Sequence, residues 1–185
     1  LAHAGAMVNH MLQRAPYSAP LTDALLRQQL FDPQPPTLFP VQWQARQLLG
    51  AWRAGELLGL ADVAACLEAD ESGGSQTVGL LRFLVLPERA ELVAECARHL
   101  LAAAEQFWRT QRVGVVRAFP IASGYPTLQG GAGLLPGDWS DQVQVLTANG
   151  YHFEDRYYCL TRPAGLLLEE VAPQTGLSLA FRGDD

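Results

Sequence analysis

Residues 80–116 read LLRFLVLPERAELVAECARHLLAAAEQFWRTQRVGVV, and this stretch decides the fold of the chain. Its first seven residues are a nearly continuous apolar run that Pro87 ends, because proline has no amide hydrogen to continue a strand ladder. From Leu92 to Trp108 the apolar residues recur every three or four positions, which predicts a helix with one apolar stripe. Residues 113–116 are a short β-branched run. The stretch therefore predicts a strand, a crossover helix and a parallel strand.

The composition fits a single globular domain with a full core, since 49% of the 185 residues are hydrophobic and 17% are charged. No apolar run reaches the roughly 20 residues needed to cross a bilayer, and the first residues lack the basic start of a signal peptide. We therefore expect a cytoplasmic protein with no membrane partner. Cys66, Cys96 and Cys159 are too scattered for a disulfide framework or a thiolate metal site, so no metal is predicted.

All 13 basic residues are arginine, which excludes mechanisms that need a lysine Schiff base or a P-loop lysine. The net charge of −6 argues against a nucleic-acid partner, because such proteins need a concentrated basic face. Small molecules or proteins are the expected partners.

The segments before residue 80 predict two helices and a hairpin. Apolar residues at helical spacing begin the chain, and Ser18 or Thr22 can cap the second helix. Residues 47–53 and 56–67 read as two strands that turn at Ala54 and Gly55.

The segments after residue 116 predict a long loop, a helix and two closing strands. The loop, residues 120–137, is long enough to belong to a binding site. Asp138 or Ser140 can cap the helix, which ends at residues 149–150. The closing strands are predicted at residues 151–154 and 156–161.

This order of elements resembles the GNAT N-acetyltransferase superfamily over residues 1–162, with the motifs RAGELLGLA at 53–61, VLPE at 85–88 and NGY at 149–151. The resemblance implies an α/β fold with a mixed, strongly twisted sheet of six or seven strands and helices on both faces. We expect the tail, residues 163–185, to supply the strand that opens the family fold, with residues 177–181 pairing beside 47–52 within the chain or in a homodimer. The alternative is that the tail begins the second half of a tandem GNAT protein.

In that family acetyl-CoA lies between two parallel strands that splay apart, and their counterparts here are residues 83–86 and 115–119. The resemblance implies that the backbone of Leu84, Val85 and Leu86 binds the pantetheine arm and that the following helix start binds the pyrophosphate. The glycines of the family pattern are absent from this helix start, which reads ERAE at 88–91. Arg89 is therefore the candidate for holding the diphosphate.

Many members of that family protonate the leaving thiolate with a tyrosine, and the corresponding position here is Leu146. Tyr125 on the long loop is the candidate substitute, with Tyr157 and Tyr158 as alternatives; packing in a sheet face is the structural alternative for all three. Trp139 and Arg117 are the candidate residues of a substrate pocket beneath the loop. For Trp139, a helix-start staple is the structural alternative.

Two further positions have mainly structural interpretations. Cys96 and His99 stand three apart on the long helix, but Cys96 lies on the apolar stripe, which favours packing over a thiolate–imidazole pair. Asp62 falls in a strand, where it is interpreted as an outward-facing solvated residue, with a buried base or a substrate anchor as the alternative.

The leading functional hypothesis is an acyl-CoA-dependent N-acyltransferase, in particular an N-acetyltransferase that uses acetyl-CoA and a small-molecule or peptide amine. The alternative is a non-catalytic GNAT-like module for binding or assembly. The strand with its long loop favours the enzyme, whereas the glycine-free helix start and Leu146 favour the binding module.

Overall fold

The computed structural model describes residues 2–15, 18–69, 73–121, 124–125 and 133–154. It divides the chain into two units, Leu1–His152 and Phe153–Asp185, and only two residues of the second unit are described. Eight elements follow one another in the described residues: α1 Ala2–Gln13, α2 Asp23–Phe31, β1 Gln42–Arg53, β2 Glu56–Ala69, β3 Ser75–Val85, α3 Ala90–Thr110, β4 Val115–Ala118 and α4 Ser140–Ala148.

These strands form one mixed sheet in the order β1-β2-β3-β4. The first three are antiparallel, and β4 pairs in parallel with β3 after the crossover through α3. The hairpin turns where predicted: Arg53 pairs with Glu56, and both Ala54 and Gly55 have a positive φ, as a two-residue hairpin loop requires. The sequence thus predicted the α/β class and the order of these elements correctly.

The predicted count of six or seven strands is not reached within the described residues, which hold four. Residues 151–154 are described and lie in no strand, so the prediction of a strand there was wrong. The aromatic residues Tyr151 and Phe153 suggested a strand, but they directly follow the end of α4. The strand predicted at 156–161 and the tail pairing predicted for 177–181 lie outside the described residues.

Helix α3 covers one face of the sheet with the predicted apolar stripe. Two glycines make the close approach possible, because a Cβ at Gly59 would lie 2.5 Å from Sγ of Cys96 and a Cβ at Gly79 would lie 2.8 Å from the ring of Trp108. The indole of Trp108 also donates a hydrogen bond to the carbonyl oxygen of Ala64 at 3.0 Å. These contacts lock α3 onto β2 and β3.

Helices α1 and α2 are joined by side-chain hydrogen bonds. Asn9 on α1 donates to the carbonyl of Leu21 at 2.9 Å and accepts from its amide at 2.7 Å. Thr22 caps α2, as one of the two predicted alternatives, by accepting a bond from the amide of Leu25 at 3.4 Å. The start of α2 is therefore fixed against α1, and its C-terminal end approaches the sheet.

Helix α4 ends as predicted, at Asn149 followed by Gly150 with a φ of 84°. Its start differs from the prediction, since Trp139 rather than Asp138 or Ser140 is the N-cap and no side chain caps the helix. The indole of Trp139 is buried in the core, and this packing sets where the helix begins. Of the helices described, none combines the length and apolar character that a membrane span needs.

Candidate functional site

Strand β3 carries one extra residue in the middle of its pairing with β2. Asp62 lies opposite Phe83 and Val63 lies opposite Leu81, so that Arg82 lies opposite neither. This is a β-bulge, which bends the strand and increases its twist.

The parallel pairing of β3 with β4 ends at the same point. Leu81 and Ala118 are the last pair, after which the amide of Phe119 donates to the carbonyl oxygen of Leu81 at 2.8 Å. Strand β3 continues to Val85 without a β4 partner. The parallel pairing therefore ends at Ala118, and residues 82–85 of β3 continue beyond the end of β4.

The carboxylate of Asp62 lies beside the bulge and is buried, with 1% of the residue exposed. Its Oδ1 accepts from Nε of Arg46 at 2.9 Å, and its Oδ2 accepts from Nη2 of Arg46 at 2.7 Å, Nη1 of Arg82 at 2.9 Å and the hydroxyl of Tyr125 at 2.5 Å. The interpretation of Asp62 as a solvated residue was wrong, because two arginines from neighbouring strands compensate its charge. We call Asp62, Arg46, Arg82 and Tyr125 the Asp62 cluster.

Arg46 connects the Asp62 cluster to the end of α2. Its Nη1 donates to the carbonyl oxygen of Asp32 at 2.5 Å, and its Nη2 donates to that of Gln29. A cation at a helix C-terminus is favoured by the helix dipole. Burial alone would lower the pKa of Arg46, but its bonds to Asp62 and the charge of that carboxylate outweigh burial, so the pKa is raised.

The ring of Tyr125 packs against Phe83 and Arg82. It lies 4.6 Å from the ring of Phe83, and the guanidinium of Arg82 lies 4.7 Å from the Tyr125 ring and 5.1 Å from that of Trp43. Burial, and then the charge of Asp62, raise the pKa of Tyr125 well above its usual value. The phenol therefore stays protonated and donates to Asp62.

A cleft of about 360 Å³, the strand-end cleft, opens where β3 ends. The end of β3 and Leu86 after it, α1 and Gln142 of α4 contribute to its lining, and its charged lining includes the ion pair of His10 with Glu88. Gln142 is only 4% exposed, and its Oε1 has no hydrogen-bond partner within the part of the chain that the structure describes. A buried acceptor needs a partner, which in a cleft is water or a ligand group.

Sequence reasoning missed Gln142, although a signal was present. Trp139, Gln142 and Leu146 are spaced three and four apart, so they share one face of α4, and the two apolar members mark that face as buried. A glutamine on a buried face is a candidate for contacting a ligand.

A second cleft of about 460 Å³, the hairpin cleft, lies between the β1–β2 turn and the start of α3. Arg53, Glu56, Arg89 and Glu91 contribute its polar lining. Arg89 is the N-cap of α3, and its Nη2 contacts Oε1 and Oε2 of Glu56 at 3.1 and 3.0 Å. The candidate diphosphate residue thus already holds a carboxylate.

The other predicted site residues lie apart from both clefts. Leu84 is fully buried and pairs with Ala61. Trp139 is 1% exposed, and its Nε1 has no hydrogen-bond partner among the residues that the structure describes. Arg117 on β4 pairs with Leu80 of β3 and forms an ion pair with Glu68. Tyr125 also lines neither of the two clefts.

Two structural interpretations can be compared with the described residues. Cys96 is buried in the core, in agreement with the packing interpretation. Burial, and then the charge of Glu95, raise the pKa of its thiol to about 11. Leu146 is buried in the core, and its hydrocarbon side chain cannot donate a proton. Tyr157 and Tyr158 lie outside the described residues.

The long loop closes on itself next to Tyr125. A Cβ at Gly124 would lie 2.7 Å from Cα of Gly133, and Gly133 has a φ of 67°. Only glycine permits this approach of two backbones.

Comparison with known proteins finds similarity at the level of the fold. No family model and no curated sequence matches the chain. Among solved structures, a tetramutant of the BH1408 protein from Bacillus halodurans matches with 8% identity and a TM-score of 0.55 over 87% of each chain. A ribosomal-protein-alanine N-acetyltransferase from Brucella melitensis matches with 12% identity and a TM-score of 0.51, over 85% of this chain and 93% of the other.

Proposed function

We propose, on the premise that the chain has the fold of the GNAT N-acetyltransferases, that it is an acyl-CoA-dependent N-acyltransferase. An acetyl group is the proposed acyl group, and a small-molecule or peptide amine is the proposed acceptor. The observation that carries the proposal is the end of β3, which continues past its pairing with β4 and lines the strand-end cleft together with Gln142, whose buried Oε1 has no hydrogen-bond partner among the described residues.

The residues around the strand-end cleft fit the pantetheine arm of CoA. This arm is a narrow chain with two amide groups and needs an apolar channel with a few hydrogen-bonding groups. Val85 and Leu86 supply the strand backbone, Met7 and Met11 supply apolar walls, and Oε1 of Gln142 would accept an amide N–H. Leu84 belongs to the same strand end, and Arg89 would contact the diphosphate.

Bound acyl-CoA would supply an activated acyl group and a thiolate as leaving group. The protein would orient the amine against the thioester and polarise its carbonyl through amides at the end of β3. The hydroxyl of Tyr125 points to Asp62 rather than to either cleft. We therefore give Tyr125 a positioning role in place of the acid role expected from the sequence, and keep Trp139 and Arg117 as candidates on the amine side.

Titration with acetyl-CoA tests the proposal. Binding is expected in calorimetry, with a raised melting temperature, and the Gln142→Leu variant should bind at least about fivefold more weakly because one hydrogen bond is lost. Release of free thiol in the presence of an amine panel would then establish transfer. Absence of binding at millimolar acetyl-CoA would overturn the proposal.

A second candidate, a non-catalytic GNAT-like module, is favoured by specific observations. The start of α3 has no glycine, and Arg89 is bonded to the carboxylate of Glu56. The position that corresponds to the tyrosine of many family members is the buried Leu146. This candidate predicts either no CoA binding or binding without thiol release for every amine tested.

A further inference from the structure

The hairpin cleft and the strand-end cleft have a common wall. Among the residues that line them, Glu56 and Arg89 are shared, and these two side chains form an ion pair with each other. The pair therefore stands at the boundary between a mainly apolar cleft and a charged one.

The two clefts differ in the chemistry that they offer. The strand-end cleft presents apolar side chains of α1 and the end of β3, the ion pair of His10 with Glu88, and the buried Oε1 of Gln142, which has no hydrogen-bond partner among the described residues. The hairpin cleft presents the guanidinium groups of Arg53 and Arg89 together with the carboxylates of Glu56 and Glu91. An anionic group can therefore bind Arg89 only in competition with carboxylates of the protein, and an amide-containing apolar arm joined to that group would reach into the strand-end cleft.

The boundary pair is easily opened. The side chains of Arg89 and Glu56 are 53% and 63% exposed, and exposed ion pairs contribute little to stability because water and salt screen them. A diphosphate carries more charge than one carboxylate and bonds a guanidinium in the same manner, so it can displace Glu56. Displacement leaves the Glu56 carboxylate close to the anion, which weakens binding.

We propose that Glu56 competes with anionic ligands for Arg89, so that a ligand anion binds at the common wall of the two clefts only by displacing the Glu56 carboxylate. This inference rests on the proposed function and adds to it that Glu56 lowers the affinity of every anion for Arg89, a cost that acyl-CoA offsets through its arm in the strand-end cleft. Free phosphate compounds must displace Glu56 without support from Gln142, whereas acyl-CoA gains that support.

The test compares the wild type with Glu56→Gln and Arg89→Gln for three probes: acetyl-CoA, acetyl-pantetheine and inorganic pyrophosphate. In Glu56→Gln, acetyl-CoA and pyrophosphate should bind about three- to tenfold more tightly, since Arg89 is freed and one repulsive charge is removed. Acetyl-pantetheine, which lacks the diphosphate, should bind unchanged. Arg89→Gln should weaken acetyl-CoA and pyrophosphate but not acetyl-pantetheine.

A matched control separates the local effect from net charge. Glu105→Gln removes the same charge from another exposed ion pair on α3, with Arg109 at 2.8 Å, and neither residue lines the two clefts. Equal tightening by Glu56→Gln and Glu105→Gln, or no tightening by Glu56→Gln, would overturn the inference. Melting temperatures within a few degrees of wild type confirm that the variants are folded.

The outcomes also separate this inference from the proposed function. If acetyl-CoA binds and Glu56→Gln changes nothing, the inference is wrong and the acyltransferase proposal stands. If no form binds acetyl-CoA but pyrophosphate binds more tightly to Glu56→Gln, the acyltransferase proposal falls and the role of Glu56 on Arg89 stands. Absence of binding for all probes would overturn both.

Discussion

The Asp62 cluster and the strand-end cleft flank the same bulged strand, yet they treat their polar groups in opposite ways. In the cluster, four hydrogen bonds end on one buried carboxylate. In the cleft, the buried Oε1 of Gln142 has no hydrogen-bond partner among the described residues. A buried carboxylate whose oxygens are both bonded adds rigidity, whereas an unbonded buried acceptor lowers stability and is available to a ligand. The Asp62 cluster rigidifies β3, and the strand-end cleft offers a surface for a ligand at the end of that strand.

The largest effect is expected from Asp62→Asn. The change leaves two buried guanidinium groups without their counter-charge, which typically lowers the free energy of unfolding by about 3–5 kcal/mol. Urea denaturation followed by circular dichroism measures it. Glu68→Gln, which removes the partly exposed partner of Arg117, is the matched control and should cost about 1 kcal/mol or less. Equal losses in the two variants would contradict a dominant role for the Asp62 cluster.

A smaller loss is expected from Tyr125→Phe. The ring keeps its contact with Phe83, but Asp62 loses one of its four bonds, so the free energy of unfolding should fall by about 1–2 kcal/mol. Chemical denaturation again provides the measurement. If the change is neutral, the hydroxyl does not anchor the loop, and the catalytic role first considered for Tyr125 regains weight.

Alkaline pH tests the burial of the thiols of Cys66 and Cys96. Burial first, and then Glu95 for Cys96 and Glu68 for Cys66, raise the pKa of each thiol to about 11. Since the unfolded thiols ionise near pH 9, the folded state binds more protons between pH 9 and 11. The stability contributed by the neutral thiols is present below pH 9 and falls as pH rises to 11.

Melting temperatures between pH 8 and 11 provide the check for the thiols. The wild type should lose stability over this range, and the double variant Cys66→Ala, Cys96→Ala should lose less. Identical pH profiles for the two proteins would show that the thiols are not the groups responsible.

The smallest effect on stability is expected from Gln142→Leu. A leucine of similar size removes an unsatisfied acceptor, so the free energy of unfolding should stay within about 1 kcal/mol of wild type or rise. Ligand affinity should fall in the same variant. A large loss of stability would show that Gln142 belongs to the fold in the same way as Asp62, and the contrast between the two regions would disappear.

The order of elements could be predicted because its signals are local. The apolar run before Pro87, the three-and-four spacing of α3 and the Ala54–Gly55 turn each depend on neighbouring residues. The crossover to a parallel strand then followed from the handedness and spacing of such units. The prediction that β3 splays from β4 came from the family resemblance.

The chemistry of the site could not be predicted in the same way. The partners of Asp62 lie 16, 20 and 63 residues away, and no local pattern brings them together. The bulge at Arg82 exists only in the register between β2 and β3. For Trp139, cap preference favoured its neighbours Asp138 and Ser140, but burial of the indole outweighed it. Gln142 is the exception, because its helical spacing was visible in the sequence.

The contact between Gly124 and Gly133 has a consequence for how this chain can vary. Both ends of the intervening segment meet at a fixed point, with Tyr125 held on Asp62 beside it. Closing a loop whose ends already meet depends only weakly on its length, since each doubling costs about 0.6 kcal/mol. We therefore expect insertions between Tyr125 and Gly133 to cost little stability as long as the contact of Gly124 with Gly133 and the bond of Tyr125 to Asp62 are kept.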